Sequence, residues 1–261
     1  MTEVEFEAPI LEHINLATNK LTSIPKLPAR LQVLILSSNR LNLSQMSELP
    51  SNLKVADLLG DFERPGTGVL KNYTFPSSIQ ELDLSELDLS RMGGVKFAKG
   101  SRLKQLDMSY CNLKIVSDRM IELPLGLKSL ELHDNRLENI SKLTIPQTVT
   151  SLDLNFNNFE RLKIKSHIES LKLCYNSRLS RLTIPKKLEL KFLDLTLTGF
   201  EKFSFDIIGA QGLSQLRLGH EMEEIDVSRM PVTFRLLEYP GTHEIEGLHR
   251  YPKTNLWRPL P

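Results

Sequence analysis

The sequence lacks the features that would indicate a membrane span, secretion or a disulfide framework. Its 261 residues contain no apolar run that approaches the ~18 residues needed to cross a bilayer. The first residues, Met-Thr-Glu-Val-Glu-Phe-Glu, lack the basic and apolar regions of a secretory signal peptide. Cysteine occurs only twice. We therefore expect no membrane association, and a chain that works inside the cell, in the cytoplasm or nucleus.

A strong charge of either sign is also missing. The chain has 33 Lys and Arg against 32 Asp and Glu, which gives a formal net charge of +1. Such a balance provides no bulk attraction to nucleic acid or to an anionic membrane, and we expect neither as a partner. The local run of Glu221, Glu223 and Glu224 is interpreted as a solvated group of charges.

What the sequence does contain is one spacing repeated eleven times, Leu-x-x-Leu-x-Leu-x-x-Asn-x-Leu in its purest form. Successive copies begin roughly 19 to 26 residues apart, which is typical of short solenoid repeats. Each Leu-x-Leu stretch alternates inward and outward like a strand, so consecutive copies can stack as a parallel ladder over one core. The copies begin at Leu11, Leu31, Leu53, Ile79, Leu103, Leu127, Val149, Ile168, Leu190, Leu213 and Phe234.

The ninth place of each copy turns the chain out of the strand. An asparagine amide suits this bend because it donates to and accepts from backbone groups that the bend leaves unpaired. Cys111, Thr198 and Asp61 stand in for asparagine in three copies, but Leu87 in the fourth has no hydrogen-bonding group. We therefore predict that the asparagine ladder is interrupted at Leu87.

A proline precedes the first framework residue by three positions in five copies, at Pro28, Pro50, Pro76, Pro124 and Pro146. Proline fixes an extended entry to the strand and removes a donor. In copies this short the return path has no room for a full helix, which favours extended or 3-10 segments.

On these residues, the chain resembles the leucine-rich-repeat proteins over roughly residues 4 to 245. The proline-led copies are similar to the short repeats of some bacterial effectors and of some fungal and protist proteins. The resemblance implies a repeat solenoid, the leucine-rich-repeat horseshoe. About ten to eleven short parallel strands would line its concave face, with extended or 3-10 segments on the convex face and little α-helix.

We divide the chain into a repeat domain, residues 1–245, and a C-terminal cap or tail, residues 246–261. The third and fourth copies are degenerate, and an insertion rich in glycine and proline, residues 60–75, is predicted to form a loop. Cys111 and Cys174 lie three copies apart. At ~5 Å per strand they are separated by about 15 Å, beyond the ~7 Å limit for a disulfide.

Function must be sought among the outward strand residues. The third to seventh copies carry a carboxylate between the two strand leucines: Asp57, Asp83, Asp107, Glu131 and Asp153. These should form a column about 5 Å apart, in which adjacent ionised pairs repel by roughly 1 to 3 kcal/mol. Solvent, salt, backbone dipoles or a basic partner must offset that repulsion. The alternative is that each acid only keeps its strand soluble.

Strand-end positions beside this column carry aromatic rings, which interaction hot spots commonly contain. We predict a partner-binding patch made of these residues: Asp107, Tyr110, Glu131, His133, Asp134, Asp153, Asn155, Phe156, Lys172 and Tyr175. A protein that presents lysine or arginine would fit it. We expect no cofactor, and no metal, because neither the column nor His243 with His249 has the spacing of a metal site.

We predict a non-catalytic module that binds another protein on this acidic and aromatic concave face, and we favour a monomer. The resemblance leaves an alternative, the substrate-recognition or adaptor part of a ubiquitin-ligase or effector complex, including an effector that bacteria deliver into a host cell. A hydrolytic enzyme is the alternative of a different class. Ser109, His133 and Asp134 can be drawn as a triad, but no nucleophile elbow or oxyanion motif accompanies them.

Overall fold

The computed structural model describes residue 6 and residues 10–61, 68–185, 189–205, 212–241, 245–250 and 255–259. The predicted loop residues Pro65 and Gly66, and His243, lie outside the described residues. The described strands are β1 (His13–Asn15), β2 (Val33–Ile35), β3 (Val55–Asp57), β4 (Thr74–Phe75), β5 (Glu81–Asp83), β6 (Lys96–Phe97), β7 (Gln105–Asp107), β8 (Ser129–Glu131), β9 (Ser151–Asp153), β10 (Arg161–Lys163), β11 (Ser170–Lys172), β12 (Arg181–Thr183), β13 (Phe192–Asp194), β14 (Lys202–Ser204), β15 (Gln215–Arg217), β16 (Glu224–Asp226), β17 (Leu236–Glu238), β18 (Leu248–Arg250) and β19 (Leu256–Pro259).

One long sheet organises the chain. Its order is β1-β2-β3-β5-β7-β8-β9-β11-β13-β15-β17-β19-β18, and every pair from β1 to β17 is parallel. Each parallel strand begins two residues after the first framework residue of its copy, including the copy that begins at Phe234. The middle residue of the strand points inward, as at Leu34 and Leu106, which are both buried. The repeat spacing therefore predicted the strands and their register correctly.

The prolines act through their carbonyl groups as well as their rings. In each predicted case the framework residue donates its backbone N–H to the carbonyl of the proline three residues earlier, as Leu31 does to Pro28 at 3.1 Å. Pro231 and Phe234 repeat this contact at 3.0 Å, a sixth instance that the sequence analysis missed. The proline therefore closes a tight turn that delivers the chain into the strand.

The return path on the other side of the core is extended, as the copy length predicts. Among the residues that the structure describes, it forms one short 3-10 helix, Leu43–Gln45, and three two-stranded parallel sheets, β4–β6, β10–β12 and β14–β16. Inward side chains from both paths, such as Leu152 on β9 and Leu162 on β10, belong to one continuous apolar cluster. The core thus lies between the main sheet and the return path.

The asparagine ladder holds successive turns together. The Asn135 amide donates to the carbonyls of Met108 and Leu132, at 2.9 and 3.0 Å, and its oxygen accepts from the N–H groups of Cys111 and Leu113. These bonds satisfy buried groups of two adjacent turns at once. Leu87 instead buries its side chain in the core, so the predicted interruption of the ladder is confirmed.

Glu221 corrects the interpretation of the charge run. It occupies the asparagine place of the tenth copy, where its Oε1 accepts from the backbone N–H of Thr198 at 3.3 Å. Its side chain is only 22% exposed, and its Oε2 has no hydrogen-bond partner in the described structure. The description of Glu221 as solvated was therefore wrong, because the repeat register carries that position into the bend beneath the strand end.

The two thiols are free, as their spacing predicts. Burial raises the pKa of both cysteines, that of Cys174 to about 11. The Cys111 thiol takes the ladder place in the fifth copy and donates to the carbonyl of Leu84 at 3.2 Å. It therefore acts as a packing and hydrogen-bonding group.

The last two strands extend the main sheet, and β19 runs in the opposite direction to the others. β19 lies antiparallel to β17 and to β18. The ring of Trp257 is buried, and its Nε1 donates to the carbonyl of Tyr239 at 3.2 Å. The division of the chain at residue 245 stays a prediction. No helix among the described residues is long and apolar enough to cross a membrane.

Candidate functional site

The acidic column forms as the repeat register requires. Asp57, Asp83, Asp107, Glu131 and Asp153 are aligned partners on adjacent strands. Neighbouring strands lie ~4.8 Å apart, so the five carboxylates are stacked across the outer face of the main sheet, which we call the sheet face. The side chains of the first four are partly exposed, whereas Asp153 is buried.

Backbone contacts explain part of this column. The Oδ1 of Asp83 accepts from the N–H of Ser85 at 2.8 Å, and the Oδ1 of Asp107 accepts from the N–H of Ser109 at the same distance. Asp57 and Asp153 make the same contact with the residue two positions on. These N–H groups lie where the strand ends, and a short acidic side chain caps them. Four of the five acids of the column therefore have a structural role in their turns.

The residue three positions after the outward strand residue has a left-handed backbone in several copies. Tyr110, Asp134, Phe156 and Tyr175 have φ between 52° and 57°. Non-glycine residues adopt this conformation at a cost of roughly 1 to 2 kcal/mol. The sharp turn brings their side chains to the rim of the sheet face, beside the acids. Four residues of the predicted patch thus share one backbone geometry, which the sequence spacing alone did not reveal.

Glu131 differs from the other acids because its longer side chain caps no backbone N–H among the described residues. Burial raises its pKa, and the charges of Asp107 and Asp153 raise it further. Burial also raises the pKa of Asp83, against the hydrogen bonds from Ser85. A shallow groove of about 260 Å³ lies over this part of the column. The sheet face therefore concentrates negative charge here.

The run of acids ends at Lys172, a basic residue at the next outward position, on β11. The Nζ of Lys172 lies 2.9 Å from the Oδ2 of Asp153. Arg217 similarly lies 3.7 Å from Asp194 and 2.8 Å from Glu238. Asp153 and Lys172 therefore neutralise each other within the fold.

The part of the sheet face whose acids have no basic neighbour within ion-pair distance in the described structure lies in the third to sixth copies. It consists of Asp57, Asp83, Asp107 and Glu131, and Glu81 also lines the groove. The sequence analysis placed Asp57 and Asp83 in the column but left them out of the patch. The positive charge of Lys172 indicates where the acidic surface ends, because the outward residues of the five preceding copies are all acidic.

Two aromatic groups border the column. The Tyr110 ring meets His133 edge-on at 5.3 Å, and the His133 Nδ1 lies 3.0 Å from the Asp134 Oδ2. Partial burial and a hydrogen bond with Asp134 raise the pKa of Tyr110. Tyr110, His133 and Asp134 thus form one connected group, as their places in successive copies suggested.

The second group is the stacked pair Phe156 and Tyr175. Their centroids are 4.3 Å apart with an interplanar angle of 12°, and both rings are nearly half exposed. Asn155 lies beside them, but its Oδ1 accepts from the N–H of Cys174 at 2.7 Å. Asn155 therefore joins two turns, and the two rings are the exposed part of this group.

The arrangement gives little support for a hydrolytic triad. The Ser109 hydroxyl is buried and has no hydrogen-bond partner in the described structure, so it does not contact the His133 ring as a nucleophile contacts its base. Ligand atoms of Asp107, Glu131 and His133 do lie within 4.8 Å of one another. Acid–imidazole groups of this kind also occur on exposed surfaces that hold no ion, and we assign no metal to them.

Solved structures of other proteins resemble this fold. YopM from Yersinia enterocolitica WA-314 covers 87% of this chain and 59% of its own length, at 18% identity and a TM-score of 0.48. The functional domain of InlJ from Listeria monocytogenes, which includes a cysteine ladder, covers 87% and 48%, at 19% and 0.51. TLR13 in its complex with ssRNA13 covers 89% and 46%, at 17% and 0.38. The chain spans about half to three-fifths of the length of these structures.

No family model and no curated protein matches the sequence. The likeness to the InlJ domain, at 19% identity, concerns the fold alone. This chain itself has parallel strands in register, proline-led turns and a ladder of asparagines, in which Cys111 takes one place. The chain therefore has the leucine-rich-repeat fold.

Proposed function

We propose that the chain is a non-catalytic module that binds another protein through its sheet face, the concave side of the solenoid. The observation that supports this most is the juxtaposition of uncompensated acids with exposed rings. Glu131 caps no backbone group, and the stacked rings of Phe156 and Tyr175 are close to half exposed. Partly exposed rings beside charges are typical of interaction hot spots.

The partner that fits this surface presents lysine or arginine. Burial and the neighbouring carboxylates raise the pKa of Asp83 and of Glu131, and a basic side chain placed in the groove would favour their charged forms. Beyond Glu131, Lys172 neutralises Asp153, so the basic groups of a partner are best placed over the third to sixth copies. Its apolar side chains would then meet the rings at the rim.

The proposal also covers the cellular compartment and a role in a larger complex. Free thiols at Cys111 and Cys174 agree with a reducing, intracellular compartment. An adaptor in a ubiquitin-ligase or effector complex would also act by binding proteins. Identifying the proteins that co-purify with this chain tests that role.

The test compares partner binding by variants of the two faces. Asp107 and Asp153 are unsuitable for charge reversal because they cap the backbone. The binding variant instead combines Glu131→Lys, Tyr110→Ala and Tyr175→Ala. A matched control combines Glu122→Lys with Ile115→Ala and Leu125→Ala, which are exposed away from the sheet face.

Proteins captured with the wild type are identified by mass spectrometry, purified and titrated calorimetrically. We expect the binding variant to weaken the affinity at least tenfold and the control to leave it unchanged. Circular dichroism verifies that both variants fold. The proposal is overturned if every purified partner binds the sheet-face variant as tightly as the wild type.

A further inference from the structure

A second charged surface lies on the return path, across the core from the sheet face. β10 points Arg161 and Lys163 outward and Leu162 into the core. Lys165 continues the alternation and is exposed. On β12, Arg181 is aligned with Arg161. Three basic residues at alternate positions of one extended stretch therefore face outward, with a fourth beside them.

These charges are poorly compensated within the fold. Arg161 lies 3.7 Å from the carboxylate of Glu160. The side chains of Lys163, Lys165 and Arg181 have no ion pair or hydrogen bond with any residue that the structure describes. Like charges aligned on neighbouring strands are destabilising, so an acidic partner would relieve a cost already present.

β10 is also an edge strand. It pairs with β12 on one side only. Residues 138–167 are all described, and within them no backbone hydrogen bond joins residues 160–165 to residues 138–147 of the preceding turn. The preceding turn is nevertheless held against both ends of this stretch, because the Asn158 N–H donates to the carbonyl of Leu137 at 2.9 Å and the Ser166 hydroxyl donates to the carbonyl of Ile145 at 2.9 Å. A partner therefore meets the outward side chains of β10 and adds no strand to its edge.

A small notch of about 200 Å³, with both apolar and polar walls, lies between this edge and the preceding turn. Ile140, Leu143 and Ile164 supply apolar walls, and Lys163 and Lys165 stand at its border. Sites for drug-sized ligands are typically about 300 to 1,000 Å³. The notch is therefore suited to one large side chain of a peptide.

We infer that the outward face of β10 binds an acidic, extended segment of another protein. The segment lies along the strand, places one aliphatic side chain in the notch and directs alternate carboxylates toward Lys163 and Lys165. Nucleic acid fits less well, because the described patch offers no aromatic ring for base stacking. A membrane surface would leave the notch unfilled. This site is independent of the sheet face and prefers a partner of opposite charge.

The probe is a fluorescein-labelled peptide, Glu-Asp-Glu-Leu-Glu-Asp-Glu, titrated with the full chain and followed by fluorescence polarisation at 50 and 150 mM salt. A second peptide replaces its leucine with serine. We expect saturable binding that Lys163→Glu with Lys165→Glu weakens at least tenfold. Ser141→Trp, which places a ring at the notch, and the serine peptide should each weaken it at least threefold.

The matched control is Lys20→Glu with Lys26→Glu, the same change of charge on exposed residues of the first turn. Equal weakening by this control would show attraction to net charge and overturn the inference. Absence of binding, equal binding of the serine peptide, or tighter binding of a thymidine dodecamer or of phosphatidylserine vesicles would overturn it too. Circular dichroism and thermal melting establish that each variant is folded.

Discussion

The rings of Phe156 and Tyr175 are stacked across adjacent turns, with centroids 4.3 Å apart. Both residues have a left-handed backbone, with φ of 52° and 57°. The turn that ends each strand therefore holds the two rings parallel at the rim of the sheet face. Pre-ordered rings lose little conformational freedom when a partner covers them.

We expect this stacking to be measurable in the free chain. Phe156→Ala, Tyr175→Ala and the double variant define a double-mutant cycle on the free energy of unfolding. Aromatic pairs typically contribute about 0.5 to 1.5 kcal/mol beyond their burial, and we expect a coupling within that range. Urea denaturation measures it. Additive effects of the two substitutions would show that the rings are only neighbours.

Asp107 should stabilise the fold through its hydrogen bond more than through its charge. Asp107→Asn keeps an oxygen that accepts from the N–H of Ser109, whereas Asp107→Ala leaves that N–H without its cap. We expect the alanine variant to lose about 1 kcal/mol of unfolding free energy and the asparagine variant to lose nothing. Denaturant midpoints of the two variants decide the point. A loss as large for asparagine as for alanine would contradict the capping role.

Glu131 should give the stability a distinctive dependence on pH. Because its folded pKa is raised above the ordinary glutamate value of 4.5, the folded state holds the proton more tightly than the unfolded state. The contribution of Glu131 to stability is therefore fully present below about pH 4.5. It is lost as the pH rises through the folded pKa, and the chain stays less stable above that pKa.

Glu131→Gln removes this cost. We expect the variant to be more stable than the wild type at pH 7 by a few tenths to about 1 kcal/mol, allowing for solvent screening. The difference should shrink as the pH falls through the raised folded pKa toward 4.5. Thermal melting between pH 4 and pH 8 tests this, with the exposed Glu138→Gln as control. A difference that is constant across the pH range would point to packing instead of ionisation.

At position 197 we expect glycine to give a more stable protein than alanine, the reverse of the usual order. The φ of Leu197, at 54°, is left-handed, where a Cβ is strained and glycine is not. Leu197→Ala and Leu197→Gly remove nearly the same contacts, and we expect the glycine variant to be more stable by about 1 kcal/mol. The same pair at Val232, which is exposed and lacks a positive φ, should favour alanine. Equal stability at Leu197 would mean that the turn relaxes without cost.

Asn135 should be among the polar side chains on which stability depends most. Asn135→Ala leaves buried backbone groups of two turns without partners, and we expect a loss of about 3 kcal/mol or more. Asn52→Ala is the control, since its amide makes one exposed contact, with Ala29. Chemical denaturation compares the two, and similar small losses would show that water replaces the ladder.

The strands were predictable because their residues are determined by local spacing. A leucine every second residue and a repeat near 22 residues place each strand and its inward side, whatever the outward residues are. The ladder followed for the same reason, down to its interruption at Leu87. The prediction that Glu221 is solvated was wrong because it considered the charge and not the position of Glu221 in the repeat.

The candidate site was less predictable because it depends on pairs of residues from different turns. Asp153 and Lys172 lie 19 residues apart, and their 2.9 Å contact removes both from the acidic surface. The same applies to the basic edge of β10, where Arg161 and Arg181 meet only because one turn stacks on the next.

The sequence by itself determined the solenoid, its strand register and the column of acids, since a periodic pattern repeats one local geometry. The tertiary structure decided which acids cap the backbone, which are neutralised and which remain to meet a partner. Those outcomes depend on distances between turns, and electrostatic and hydrogen-bond energies change steeply with such distances.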